Sequence, residues 1–293
     1  MQHYLRSARP LEMTSDERLL TSPDGTRIWA EAIGDPSNPA VVFIHGLACS
    51  ATLFDKQFLD PVLLDRLYMV RYEMRGHGRS DTPASIEAYA SVHQAEDFRA
   101  VCEAFQVWKP WVFGWSLGGT IPVDIANHLG PSYISGVIYN GGAVLSLALC
   151  VETIPESFVP LMPYVQSTDA DTIARFAQRF VEGCVADPVA TLPWPVKLQW
   201  MGSFAAQPPA VRAWSHDREQ DETRWRAEAR SWRVMLIQGA EDTHCRAAQL
   251  AAQVRDLYDD AEVYILEGVG HSPQFERPDI VNGLILNFIE KGR

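Results

Sequence analysis

The pentapeptide Gly114-Trp115-Ser116-Leu117-Gly118 constrains the fold of this chain more than any other feature. An apolar run, Trp111-Val112-Phe113, leads into it, and a helix-compatible segment, Leu117 to Leu129, leads out. A strand that ends in G-x-S-x-G and turns at once into a helix is a nucleophile elbow. The glycines matter because side chains at those positions would collide with neighbouring backbone. Such a turn lifts the serine hydroxyl above the edge of a sheet and aims helical N–H groups at the same point. An anion forming there is stabilised by the helix N-terminus.

A serine hydroxyl is a poor nucleophile at neutral pH and needs a base, itself oriented by an acid. With this elbow the acid and then the histidine follow the serine in the chain. His271 is the histidine candidate, on the glycine-rich loop Gly268-Val269-Gly270-His271 that follows the apolar run Val263-Tyr264-Ile265-Leu266. Asp242 is the acid candidate, just past Val234 to Gly239, and Glu241 is the neighbour that competes for the role. Asp242 is preferred for its offset from Gly239. His244 is the alternative base, although it sits only two residues beyond Asp242. His3, His93, His128 and His216 occupy no comparable context.

Apolar runs alternate with helix-compatible segments elsewhere. Arg18 to Ser22 and Arg27 to Ile33 read as a hairpin around Pro23-Asp24-Gly25-Thr26. Ala40 to Ile44, Leu67 to Tyr72 and Ile134 to Tyr139 read as strands, and Thr52 to Leu64 as a helix. Ser91 to Phe105 carries Val92, Ala95, Phe98, Val101, Cys102 and Phe105 at helical spacing, a core-facing stripe. Asp279 to Ile289 is the last helix. This alternation predicts an α/β fold with a mostly parallel sheet and helices on both faces. Pro122 falls in the segment after the elbow and is expected to kink or shift its helix.

These motifs resemble the α/β-hydrolase superfamily over most of the chain. Phe43-Ile44-His45-Gly46-Leu47 is similar to that family's loop after the third strand, and the resemblance implies that the backbone N–H groups of Leu47 and Leu117 form an oxyanion hole. Arg75-Gly76-His77-Gly78-Arg79-Ser80-Asp81 resembles an architectural turn after the fourth strand, which gives His77 and Asp81 a loop-holding role. Serine at the nucleophile position argues against the dehalogenase and epoxide hydrolase branches, which use aspartate. Trp115 stands where carbon–carbon bond hydrolases commonly have asparagine.

The expected domain organisation is a core of residues 1–142 and 232–293 with a helical cap inserted at 143–231. The insertion is rich in bulky apolar residues and is punctuated by prolines, and a minority of its aromatics should line an apolar pocket. Asp217 to Arg230 reads as a solvated helix face.

A net charge of −12 argues against nucleic acid or anionic membranes as partners. No stretch approaches the roughly 20 apolar residues of a membrane span. The charged stretch Met1 to Leu20 reads as neither signal peptide nor anchor. Five cysteines in no metal-ligand spacing suggest free thiols and a cytoplasmic setting. Cys49 and Cys245 border the oxyanion loop and the acid loop.

The expected activity is hydrolysis of a small or medium carboxylic ester through an acyl-enzyme, with no metal or organic cofactor. A perhydrolase or haloperoxidase, a lactonase or amidase, and a non-catalytic ligand receptor are the other readings of the same site.

Overall fold

A computed structural model describes residues 15–292. One eight-stranded sheet runs through it: β1 (Asp16–Thr21), β2 (Arg27–Ile33), β3 (Ala40–Ile44), β4 (Tyr68–Tyr72), β5 (Trp111–Trp115), β6 (Gly136–Asn140), β7 (Arg233–Gly239) and β8 (Asp260–Leu266). Their spatial order is β1-β2-β4-β3-β5-β6-β7-β8. The first hairpin is antiparallel and pairs antiparallel with β4, and every later pairing is parallel.

β3 and β5, and the middles of β6 and β7, are apolar because helices cover both faces. Val42, Ile44, Val112, Val137 and Leu236 pack into one core. Their chain neighbours Val41, Phe43, Phe113, Ile138 and Met235 pack into the other. The period of two along a strand thus feeds two cores from one sheet.

Order along the sheet also positions the site. β3 and β5 are neighbours, but the chain leaves β3 toward β4 on one side and leaves β5 toward β6 on the other. Loops that diverge at such a switch point open a crevice at the carboxyl ends of the strands.

Local chemistry departs from the sequence expectation in five places. The helix expected over Thr52 to Leu64 is a 3-10 turn (Ala51–Phe54), a short helix (Asp55–Phe58) and a separate helix (Pro61–Arg66). Pro61 disfavours helical backbone at Asp60, whose carboxylate instead caps the new helix by accepting from Val62 and Leu63 N–H, each at 2.9 Å. Pro122 does not kink a helix. A 3-10 turn (Ser116–Thr120) precedes the regular helix Ile121–His128, so Pro122 lies in its first turn, where a missing N–H costs nothing. Val92 lies on the outer side of Ser91–Ala104 and is exposed, while the rest of the stripe is buried.

The stretch Asp217 to Arg230 is not wholly solvated, since Arg218 and Trp225 are buried. Finally, β8 begins three residues before the apolar run Val263 to Leu266, because its backbone continues the parallel ladder to β7 from Asp260 onward.

Between β6 and β7 lie the helices Leu147–Thr153, Ala170–Glu182, Trp194–Ala206, Pro209–Asp217 and Thr223–Glu228, with shorter turns among them. Two buried contacts fasten this insertion to the rest. Gln207 Nε2 donates to His77 Nε2 at 2.8 Å, and Arg218 Nη2 donates to Asp124 Oδ2 at 2.9 Å. No helix among the described residues is long and apolar enough to cross a membrane. Most of the stretch Met1 to Leu20, with His3, lies outside the described residues.

Candidate active site

Ser116 follows β5 with a φ of +52°, a left-handed conformation that strains a non-glycine residue. The turn is held from below by close packing. A Cβ added to Gly118 would lie 2.3 Å from the Ile44 carbonyl oxygen, so only glycine fits there. The loop after β3 presses against the same turn, since a Cβ at Gly46 would come within 2.9 Å of Ser116 Cβ.

His271 and Asp242 reach Ser116 from the ends of β8 and β7. Ser116 Oγ lies 3.0 Å from His271 Nε2, and His271 Nδ1 lies 2.9 and 3.0 Å from the two Asp242 oxygens. With a carboxylate facing Nδ1, that nitrogen carries the proton, and Nε2 is left to accept from the serine hydroxyl. Both the imidazole and the carboxylate are almost fully buried. Burial pushes the Asp242 carboxyl up, but the adjacent His271, with His244 and the Gln238 amide, outweighs it and holds the acid below the usual carboxylate range. Asp242 Oδ1 also accepts the backbone N–H groups of His244 at 2.8 Å and Cys245 at 3.0 Å.

The alternatives weighed from sequence fall elsewhere. Glu241 Oε2 accepts the Val269 N–H at 3.0 Å and so braces the loop that carries His271. His244 is not hydrogen-bonded to Ser116. Its ring stands edge-on to His271 at 4.7 Å and stacks on Phe180 at 4.9 Å, and burial pushes it down to about 3. Asp81 forms a two-point bond with Arg27 at the far end of the turn. His77 is buried, donates from Nδ1 to the Arg75 carbonyl and receives Gln207. Cys49 is buried outside the cavity wall, with its thiol pushed up to about 12 by desolvation.

A cavity of about 300 Å³ opens over Ser116. Leu47, Leu117 and His271 form its floor. Leu147, Val151, Ile154, Phe158, Met162 and Phe180 of the insertion supply apolar walls. His216, read from sequence as lacking context, also lines the wall, as do Cys150 and Cys245. The segment that carries His216 is tied down by the neighbouring Arg218–Asp124 pair, a tertiary contact that no local pattern announces.

The family model of the alpha/beta hydrolase family matches residues 41–284. The chain belongs to that family. Proteins similar to it in sequence include the "Probable oxidoreductase EphD" of Mycobacterium tuberculosis, 46% identical over 32% of this chain and 15% of that protein. Rhodomycin D methylesterase DauP of Streptomyces sp. (strain C5) is 30% identical over 43% of each chain. The chain therefore aligns with well under two thirds of either relative. The crystal structure of a putative aryl esterase from Burkholderia cenocepacia superposes with a TM-score of 0.84 at 24% identity, over 94% of this chain and 99% of that one.

Within this alpha/beta hydrolase, two supporting residues escape a reading of the sequence. Gln238 is the penultimate residue of β7, where it donates from Nε2 to Asp242 Oδ2 at 2.8 Å and accepts the Gly142 N–H at 2.6 Å. A buried amide after the apolar run Val234 to Ile237 is the signal that could have revealed it. Trp115 donates its indole N–H to the His271 carbonyl at 2.8 Å. Beside an elbow serine it reads as a strand residue, and nothing local points to a partner 156 positions away.

Proposed function

We propose that the chain is a serine esterase acting on small or medium carboxylic esters with apolar or aromatic groups. The observation that carries this reading is the continuous hydrogen-bonded line from Ser116 through His271 to Asp242 at the floor of a largely apolar cavity. In the first half-reaction His271 Nε2 takes the hydroxyl proton while Ser116 Oγ attacks the ester carbonyl carbon. The carbonyl oxygen becomes an oxyanion between the Leu47 and Leu117 N–H groups, donors of a kind worth about 3 kcal/mol each. The tetrahedral adduct expels the alcohol, to which His271 returns the proton. Water then repeats the sequence on the acyl-serine and releases the acid.

Asp242 keeps the proton on His271 Nδ1 and balances the imidazolium. The relatives reported above include a methylesterase and a putative aryl esterase by name, which agrees with ester cleavage. Residues 143–231 act in this reading as a cap that sets the acyl and alcohol preference, over a core of 1–142 and 232–293. The five unpaired thiols suit a cytoplasmic setting.

The test is release of p-nitrophenol from esters of graded acyl length. The wild type should turn over a preferred length, and Ser116→Ala should be inactive. Equal release by the two proteins, or none by either, overturns the esterase reading. Halogenation of a dye by the protein with acetate, bromide and peroxide would then favour the perhydrolase. A ligand-induced rise in Tm without turnover would favour the receptor.

A further inference from the structure

Three cavities adjoin one another across the inserted helices. The catalytic cavity is walled in part by Phe158, Phe180 and His244, and the same three side chains wall a second cavity of about 270 Å³ that also includes Leu161, Phe176 and Arg179. A third, of about 260 Å³, shares Leu161, Phe176 and Arg179 with the second and extends to Tyr164, Thr172 and Arg175. The partition between the catalytic cavity and its neighbour is therefore one side chain thick. Ring packing closes it: His244 meets Phe180 and Phe158 with ring centroids 4.9 Å away in each case. Passage from one space to the other requires these rings to move aside.

Charge is distributed unevenly along this path. Ala170–Glu182 buries Phe176, Ala177 and Val181 and presents Arg175 and Arg179, one helical turn apart, to solvent. Among the described residues neither guanidinium is paired with a carboxylate, and Arg175 Nε reaches only the Asp171 carbonyl oxygen at 3.4 Å. The catalytic cavity, by contrast, includes an exposed carboxylate, Asp217, among its lining residues.

We propose that the two outer cavities form a distal substrate site for a carboxylate-terminated acyl chain. The acyl carbonyl sits at Ser116, the apolar chain passes the Phe158–Phe180–His244 partition, and the terminal carboxylate pairs with Arg175 and Arg179. This deepens the esterase reading and rests on it.

The experiment compares p-nitrophenyl monoesters of dicarboxylic acids with p-nitrophenyl alkanoates of equal length, from six to about fourteen carbons. The kcat/KM ratio of carboxylate to neutral ester should rise with length once the chain clears the partition. It should fall roughly three- to tenfold in R175Q/R179Q, the scale of two exposed ion pairs. Added salt should shrink it. Arg255→Gln, at an exposed arginine on Ala247–Leu257, should keep the ratio. A ratio below one at every length, or one that survives in R175Q/R179Q, overturns the distal site while p-nitrophenyl acetate cleavage still tests the esterase. If no ester is cleaved, titration calorimetry of Ser116→Ala with tetradecanedioate and tetradecanoate reads the site by itself. Tighter dianion binding that R175Q/R179Q abolishes supports the site, and equal affinities overturn it.

Discussion

At Ser116 the left-handed backbone is held by neighbours rather than by any preference of serine, and the same is true of the imidazole that faces it. Gly142 has a φ of +59°, and a Cβ there would lie 2.3 Å from His271 Cε1. Gly142→Ala should therefore push His271 off the line to Ser116 and reduce kcat by at least tenfold, a loss that steady-state kinetics would detect with the fold intact by circular dichroism. Asp242→Asn leaves the shape but removes the reason for a proton on Nδ1, and should lower kcat by about 10⁴. Gln238→Met loosens the carboxylate without touching it, so kcat should fall by a smaller factor, roughly tenfold, with little change in KM. An unchanged kcat in the Gln238 variant would mean that the backbone N–H groups of His244 and Cys245 suffice to orient Asp242. The meeting of Ser116, Asp242 and His271 at one sheet edge could be anticipated from sequence because each closely follows its own apolar run. Trp115 could not, because its partner, the His271 carbonyl, lies across the sheet edge, and Gln238 is marked only by an amide that ends an apolar run.

Elements were readable where hydrophobic period decided them and obscured where a single polar contact did. β3, β5 and the middles of β6 and β7 are short apolar runs. The helix after the elbow depended on where Pro122 fell relative to its first turn, which the period does not specify. The charged stretch from Asp217 onward is not a solvated face because Arg218 is drawn into the core by Asp124, with side-chain exposures of 3% and 0%. Asp124 is further held by Ser91 and Gln220, and Gln220 also binds the Thr120 carbonyl and the Leu147 N–H. This network joins the helix that follows Ser116 to both ends of the insertion. Arg218→Met would strand a buried carboxylate and should cost about 3–5 kcal/mol, read as a lower urea midpoint. A double replacement by apolar residues, R218M/D124L, should recover much of that loss. Similar midpoints for the single and double variants would show that the pair is not coupled.

The molecule as a whole carries an acid sensitivity that follows from its buried imidazoles. His45 accepts the Met74 N–H at Nε2 and donates to the Gly46 carbonyl from Nδ1, so both nitrogens are engaged by a neutral ring. Burial pushes His45 down to about 4 and His77 down to about 3. Between an unfolded value near 6.5 and those folded values, the unfolded chain binds the extra protons. Stability should therefore be full above about pH 6.5 and decline as the pH falls through this window, by up to about 2.7 kcal/mol per pH unit for two protons. Urea midpoints at pH 8, 6, 5 and 4 would measure it, and His77→Gln should flatten the slope. A constant midpoint down to pH 4.5 would contradict it.

The candidate reactive groups lie on loops after β5, β7 and β8, while the insertion enters and leaves the chain between β6 and β7. That arrangement bears on how the protein could be re-engineered. An exchange of the segment for one from another hydrolase would leave every one of those loops in place. The seams must still respect Gln207 and Arg218, which reach into the core for His77 and Asp124. A graft that brings foreign residues opposite those two sockets would leave buried polar groups unanswered. A transplant that retains Gln207, Arg218 and Gln220 gives a chimaera free to vary in the chain lengths and charges it accepts.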